Sequence, residues 1–188
     1  MKLVRPHSVE SPPVARDATP PSFDQLYDEQ FPFVWRCLRG LGVPAEAMDD
    51  AAQDVFVAVH RQLPGFRAES QLRTWIYGIT RHIAANHRRR DRRKAAPLAP
   101  LDGVDAPDQG PDPLERAQDV QAASFVERFL ARLDTKKREV FLLAFVEQMT
   151  VPEVAATLSI PLNTAYTRLR RARADFQRAL ERRDHVGR

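Results

Sequence analysis

From Ser22 onward the apolar residues Phe23, Leu26, Tyr27, Phe31, Val34 and Leu38 recur at three- and four-residue intervals, the spacing that lines one side of an α-helix. Ser22 and Gln25 have capping-box spacing, so a helix is predicted to begin there. Pro32 is expected to kink or interrupt it, and Gly40 and Gly42 to end it. A second helix is predicted from about 44 to 63, with Met48, Ala52, Val55, Phe56 and Val59 on its apolar side and Pro64-Gly65 as the stop. After a short polar segment, 66–70, a third helix is predicted over 71–90 with Leu72, Trp75, Ile76, Ile79 and Ile83 as its buried stripe. Trp75 on that stripe reads as a core residue.

Helical periodicity returns after residue 113, with helices predicted at 114–132, 135–148, 151–158 and 163–182. Between the two halves lies a stretch rich in proline and aspartate (Pro97, Pro100, Pro107, Pro111, Pro113; Asp102, Asp105, Asp108, Asp112), the composition of a flexible linker. No alternating pattern suggests a strand. The expected fold class is therefore all-α: two small helical domains joined by a flexible linker, the C-terminal one a helix-turn-helix. The expected division is a disordered arm at 1–21, a first domain at 22–94, the linker at 95–113, a second domain at 114–183 and a tail at 184–188.

Thr150-Val151-Pro152-Glu153 supplies an N-cap threonine, a proline in the first turn and a glutamate at the reciprocal capping position. A helix is predicted to start there and end after Leu158, and Ser159 to Thr164 turns the chain into another that Asn163 or Thr164 can cap. Two closely linked helices of this kind form a helix-turn-helix. Along the second, Ala165, Leu169, Ala172 and Phe176 make the apolar stripe, leaving Thr164, Thr167, Arg168 and Arg171 on the other side. Short hydroxyls and arginines near a helix start suit a major groove.

Charge sharpens the picture. Between Asp24 and Asp54 there are seven acidic residues against Arg36 and Arg39, whereas Arg81 to Lys94 holds seven bases and one acid, Asp91. A chain that is mildly basic overall, at net +4, thus carries one acidic and one basic surface, as expected of a protein meeting a basic partner on one side and phosphates on another. Cys37 is alone, which rules out an internal disulfide and fits a reducing cytoplasm. The first residues lack the apolar core of a signal peptide, and no apolar run approaches the roughly 18 residues of a membrane helix, so no membrane insertion is expected. Asp49, Asp50 and Asp54 would suit the magnesium motif of an all-helical isoprenoid synthase, but no second acidic cluster faces them and neither domain can enclose a prenyl chain. His82 and His87, five apart, point to different helix faces, and no serine or cysteine has a base partner. No enzymatic activity, metal or cofactor is expected.

Leu133 to Leu180, with Arg138-Glu139-Val140-Phe141, Thr150–Leu158 and Asn163–Arg173, resembles the fourth conserved region of bacterial sigma factors. The first domain resembles their second region through Gln53-Asp54-Val55-Phe56, Phe66-Arg67-Ala68-Glu69-Ser70 and Arg73-Thr74-Trp75-Ile76-Tyr77 with its arginine-rich end. Two domains in this order, spanning residues 22 to 183, resemble the extracytoplasmic-function (ECF) group. The resemblance implies that Asp49, Asp50, Gln53, Asp54 and Phe56 dock on core RNA polymerase. It implies that Asn163, Thr164, Tyr166, Thr167, Arg168 and Arg171 contact the duplex −35 element. Phe66, Glu69 and Ser70 in the loop, with Asn86, Arg88, Arg89 and Arg90 on the helix, would take the single-stranded −10 element. An anti-sigma partner is implied as well. Family members commonly carry glycine at the places of Ser159 and Asn163 and a basic residue at that of Tyr166. The alternative is a free-standing helix-turn-helix regulator, which would ordinarily dimerise on two half-sites.

Overall fold

A computed structural model describes residues 22–67, 71–94 and 113–186, all helical apart from short connections. The expected arm, most of the linker and the last two residues lie outside the described residues.

Ser22 caps α1, Phe23–Gly40, its side chain accepting from Gln25 N–H. Of the kink or interruption expected at Pro32, the interruption does not occur: the helix runs continuously through it. Pro32 is exposed, so water can satisfy the carbonyl it leaves free, while buried Leu26, Phe33, Val34 and Cys37 hold the run together on either side. A 3₁₀ turn, Ala45–Ala47, leads into α2, Met48–Gln62, which buries Met48, Ala52, Val55, Phe56 and Val59 as its periodicity requires. Another such turn, Leu63–Gly65, stops it.

Helix α3, Leu72–Lys94, departs from its predicted stripe. Ile76 is buried, but Leu72, Trp75, Ile79 and Ile83 are only half-buried; the other buried positions are Tyr77, Thr80, Ala84 and His87. The physical reason is tertiary. Helix α3 is flanked by α1 and α2 on one side and by the second domain on the other, and two of the buried polar residues there find partners: Thr80 Oγ1 donates to the Ile76 carbonyl at 2.9 Å, and His87 pairs with Asp54.

The second domain comprises α4, Pro113–Arg132; α5, Thr135–Phe141; α6, Val151–Thr157; and α7, Leu162–Val186. The predicted helix over 135–148 is α-helical only to Phe141 and then widens into a π-helical turn, Leu142–Val146, followed by Gln148 with φ 54°. Phe125, Phe129, Phe141 and Phe176 pack together with exposed Phe145 at their rim, neighbouring ring centroids lying 4.8–5.8 Å apart.

The two domains do not stand apart as independent modules. Their buried residues form one contiguous core, Leu142 resting on Gly40 so closely that a Cβ there would lie 2.5 Å from its Cδ1. Polar contacts ring this seam: Arg138 to the Leu41 carbonyl at 3.3 Å, Thr74 to Thr157 at 3.0 Å, and Arg39 to Glu127 at 2.6 Å.

Candidate nucleic-acid and protein interface

Helix α6 begins as its sequence dictates. Thr150 accepts from Glu153 N–H while the Glu153 carboxylate accepts from Thr150 N–H at 2.8 Å and its hydroxyl at 2.7 Å, closing a full capping box. These bonds hold the Glu153 carboxyl below the usual carboxylate range. The helix ends in a Schellman motif: Ser159 N–H donates to Ala156 and Ile160 N–H to the Ala155 carbonyl at 3.0 Å. Ser159 takes φ 51°, the left-handed conformation glycine adopts at no steric cost.

Helix α7 follows after Pro161, whose carbonyl accepts from Thr164 and Ala165. It starts at Leu162, so Asn163 and Thr164 lie inside its first turn and do not cap it. Ala165, Leu169 and Ala172 are buried against the domain, and Phe176 joins the aromatic centre. Turned outward are Asn163, Tyr166 and Arg171, all exposed, with Thr164, Thr167 and Arg168 half-buried beside them. Tyr166, at 52% exposure, is the most open large apolar-bodied side chain of the described residues.

On the first domain, Phe66 packs on Trp75 with centroids 4.9 Å apart. Glu69 and Ser70 lie outside the described residues. Arg89 donates to the Asn86 side chain at 2.7 Å, and Arg89 and Arg90 are exposed. Arg88 faces elsewhere: it is half-buried toward the second domain, and burial lowers its guanidinium pKa. The −10 candidates on α3 therefore do not share one open face.

Asp49, Asp50 and Gln53 stand exposed on α2. Asp54 is held by His87 Nε2 at 2.9 Å, and Phe56 is 4% exposed. Phe56 is the inner wall of a groove of about 690 Å³ between α1 and α2. Phe23, Tyr27, Phe31 and Trp35 line its other side, with the Tyr27 and Phe56 rings 4.5 Å apart. Those four residues recur every fourth position, a row lying beside the buried Leu26-Val34-Cys37 side. The sequence held that signal, but the residues merged with the core stripe.

Sequence reasoning also passed over a set of charges at the domain seam. Glu147, just past the π-helical turn, has a fully buried side chain that accepts from Arg36 through two bonds at 2.8 Å and from Arg73 at 2.9 Å. Glu139 on α5 accepts from Arg81 at 2.5 Å. The bond to Glu147 raises the pKa of Arg36, and that to Glu139 raises that of Arg81. Burial pushes the neighbouring Cys37 thiol well up.

The family described as "Sigma-70 region 2" matches residues 26–94, and "Sigma-70, region 4" matches residues 126–176. The chain is 32% identical over 146 residues to the ECF RNA polymerase sigma factor SigC of Mycobacterium tuberculosis, covering 74% of this chain and 73% of SigC. It is 30% identical over 171 residues to the RNA polymerase sigma factor CnrH of Cupriavidus metallidurans, covering 85% and 87%. The solved structure of CnrH with the cytosolic domain of CnrY superposes with a TM-score of 0.63 at 27% identity, covering 85% of this chain and 87% of that one. RpoE of Bartonella quintana, solved with the anti-sigma factor NepR, shares the fold at TM-score 0.65 and 21% identity, over 85% and 96% of the two chains.

Proposed function

The chain belongs to the sigma-70 family, in its ECF group, and from that membership we propose how its own residues divide the work of promoter recognition and transcription initiation that sigma factors direct. The outward face of α7 reads the −35 duplex: Arg168, Arg171 and Thr167 reach base edges, Asn163 and Thr164 lie at the helix start nearest the backbone, and Tyr166 offers a ring to the groove wall. The capped α6 and its Schellman exit fix the angle at which α7 is presented.

The first domain takes the −10 strand, with Phe66, Glu69 and Ser70 ahead of α3 and Asn86, Arg89 and Arg90 on it, while Arg88, turned toward the second domain, stands apart from them. Capture of unstacked bases offsets an unstacking cost of a few kcal/mol per step, so opening needs no nucleotide hydrolysis by this chain. Asp49, Asp50 and Gln53, with the aromatic groove beneath them, dock on core polymerase together with exposed Asp54, which His87 holds in place; Phe56 shapes that surface from behind. The chain itself performs no catalysis and acts in the cytoplasm. Among the described residues no helix is long and apolar enough to cross a membrane, and no three metal-binding side chains gather. An anti-sigma protein holds it inactive; CnrH captured with part of a second protein supports such a partner.

The observation that carries this reading is the pairing of both sigma regions, in order, with an exposed recognition face on a capped helix-turn-helix. Run-off transcription with core polymerase on DNA from upstream of the factor's own gene tests it. Initiation that requires the chain is expected; tight dimeric binding to a palindrome by the chain alone, with no initiation, would overturn it.

A further inference from the structure

The outer side of the first domain presents a row of aromatic rings to solvent. Phe23, Tyr27, Phe31 and Trp35 recur every fourth residue along α1 and, with Phe56 of α2 behind them, line the open groove of about 690 Å³. Tyr27 is 39% exposed and Val57, also in the lining, 40%. The Phe31 ring stacks on Trp35 and Phe56 with centroids 5.6 and 6.0 Å apart, and Phe23 stands edge-on to His60 at 4.9 Å. These contacts hold the rings in register, so the groove is preformed. From Phe23 to Trp35 the row covers about 18 Å of helix. Exposed apolar surface of this extent marks a place where something binds.

The chain itself delivers an occupant. Ser22 caps α1 and Phe23 is the first ring of the row, so residues 1–21 join the domain at one mouth of the groove. They include Pro6, Pro12, Pro13, Pro20 and Pro21. Proline-rich segments bind aromatic-lined grooves because the pyrrolidine ring fixes φ, and the extended left-handed helix is then ordered at little entropic cost. At about 3.1 Å per residue, Ser11 to Arg16 match the length of the aromatic row, and residues 17–21 remain to turn the chain back from Ser22. Lys2, Arg5 and Arg16 outnumber Glu10 and Asp17 in the arm, while Asp24, Asp28, Asp49 and Asp50 stand exposed on α1 and α2, so charge favours the contact. A short tether supplies an effective concentration on the order of millimolar, at which an affinity too weak to join separate molecules suffices.

We propose that the groove between α1 and α2 binds the chain's own proline-rich arm, Ser11–Arg16 running antiparallel to α1 with Pro12, Pro13 and Val14 against the rings. In the free factor the arm shields the aromatic row from solvent. Its further consequence rests on the reading that this same groove docks on core polymerase: arm and polymerase then exclude one another, and docking displaces the arm. A binding site that is open in only a fraction of molecules has its apparent affinity reduced by that fraction, so the arm sets how readily the factor joins the enzyme.

Trp35 reports on the groove. The full chain with Trp75→Phe keeps Trp35 as its only tryptophan, and it is compared with the same chain carrying Pro12→Ser, Pro13→Ser and Val14→Ser. These three positions lie outside the helical domains, and circular dichroism checks that helix content is the same in both chains. Acrylamide should quench Trp35 at least about threefold less when the arm is intact, at every protein concentration. Core polymerase should bind the chain with the substituted arm about tenfold more tightly than the chain with the intact one. Equal quenching of the two chains would overturn the proposal. So would protection that grows with protein concentration, the sign of a second copy filling the groove. Failure of the docking reading looks different: Trp35 stays protected by the intact arm while core polymerase binds both chains equally, which removes the polymerase from the groove and leaves the arm in it.

Discussion

Arg171 and Arg182 sit on the same helix, both exposed, yet their surroundings differ. Arg171 lies within three turns of the α7 start on the open face, whereas Arg182 lines a separate basic groove beside Phe125 and Arg178. Arg171→Ala is therefore expected to cost about 1–3 kcal/mol and to flatten preference at one or two −35 positions, while Arg182→Ala leaves discrimination unchanged. Binding of a −35 library with core polymerase checks this; uniform loss from both variants would remove α7 from base readout. Ser159 makes a second case at this scale. Its φ of 51° is strained for a residue with a Cβ, so Ser159→Gly should stabilise the domain by up to about 1 kcal/mol in denaturant melts. The sequence showed a non-glycine residue at a turn; only the backbone angle shows that a strain is being carried there.

At the level of elements, the start of α6 combines cap and charge. The Glu153 carboxyl is held below its usual range by Thr150, so its contribution to stability is present above about pH 4.5 and is lost as pH falls through the lower folded-state value. Thr150→Ala should cost about 1 kcal/mol near pH 7, and the gap from the parent should narrow as pH drops below the carboxylate range. A gap independent of pH would mean that the hydroxyl alone makes the cap. Helix α2 gives a different pairing of effects. Asp50→Lys should weaken recovery of core polymerase with no loss of helix content, because Asp50 is exposed. Asp54→Lys should also lower stability, by about 0.5–1.5 kcal/mol, since it removes the tie to His87 between α2 and α3. Equal melting of the two variants, or undiminished polymerase recovery for Asp50→Lys, would contradict these roles.

At the scale of the whole molecule, a shared core with Leu142 seated on Gly40 means that the domains meet without a scaffold. The isolated chain should nonetheless bind promoter DNA weakly and gain sequence-specific affinity with core polymerase, because simultaneous use of both DNA elements needs them held at promoter spacing. Fluorescence anisotropy with and without core enzyme measures the difference; equal specific affinity in both conditions would count against it.

Periodicity and local chemistry determined most of the elements. Alternation at 3.6 residues placed α1 to α4 and α7, and Thr150-Val151-Pro152-Glu153 fixed the start of α6 because its capping partners lie within three residues of each other. The open face of α7 was legible for the same reason: a helix whose apolar stripe is known has its other side assigned by geometry. The tertiary structure alone decided what depends on residues far apart in the chain. Glu147 lies 111 positions from Arg36 and 74 from Arg73, so nothing local marks it as buried and paired. The burial of Tyr77 and Thr80, the half-exposure of Trp75, and the turning of Arg88 away from Arg89 and Arg90 follow from α3 being covered on two sides. A helical repeat shows that a helix has an inside; which of its polar residues join that inside is settled by the partner that packs against it.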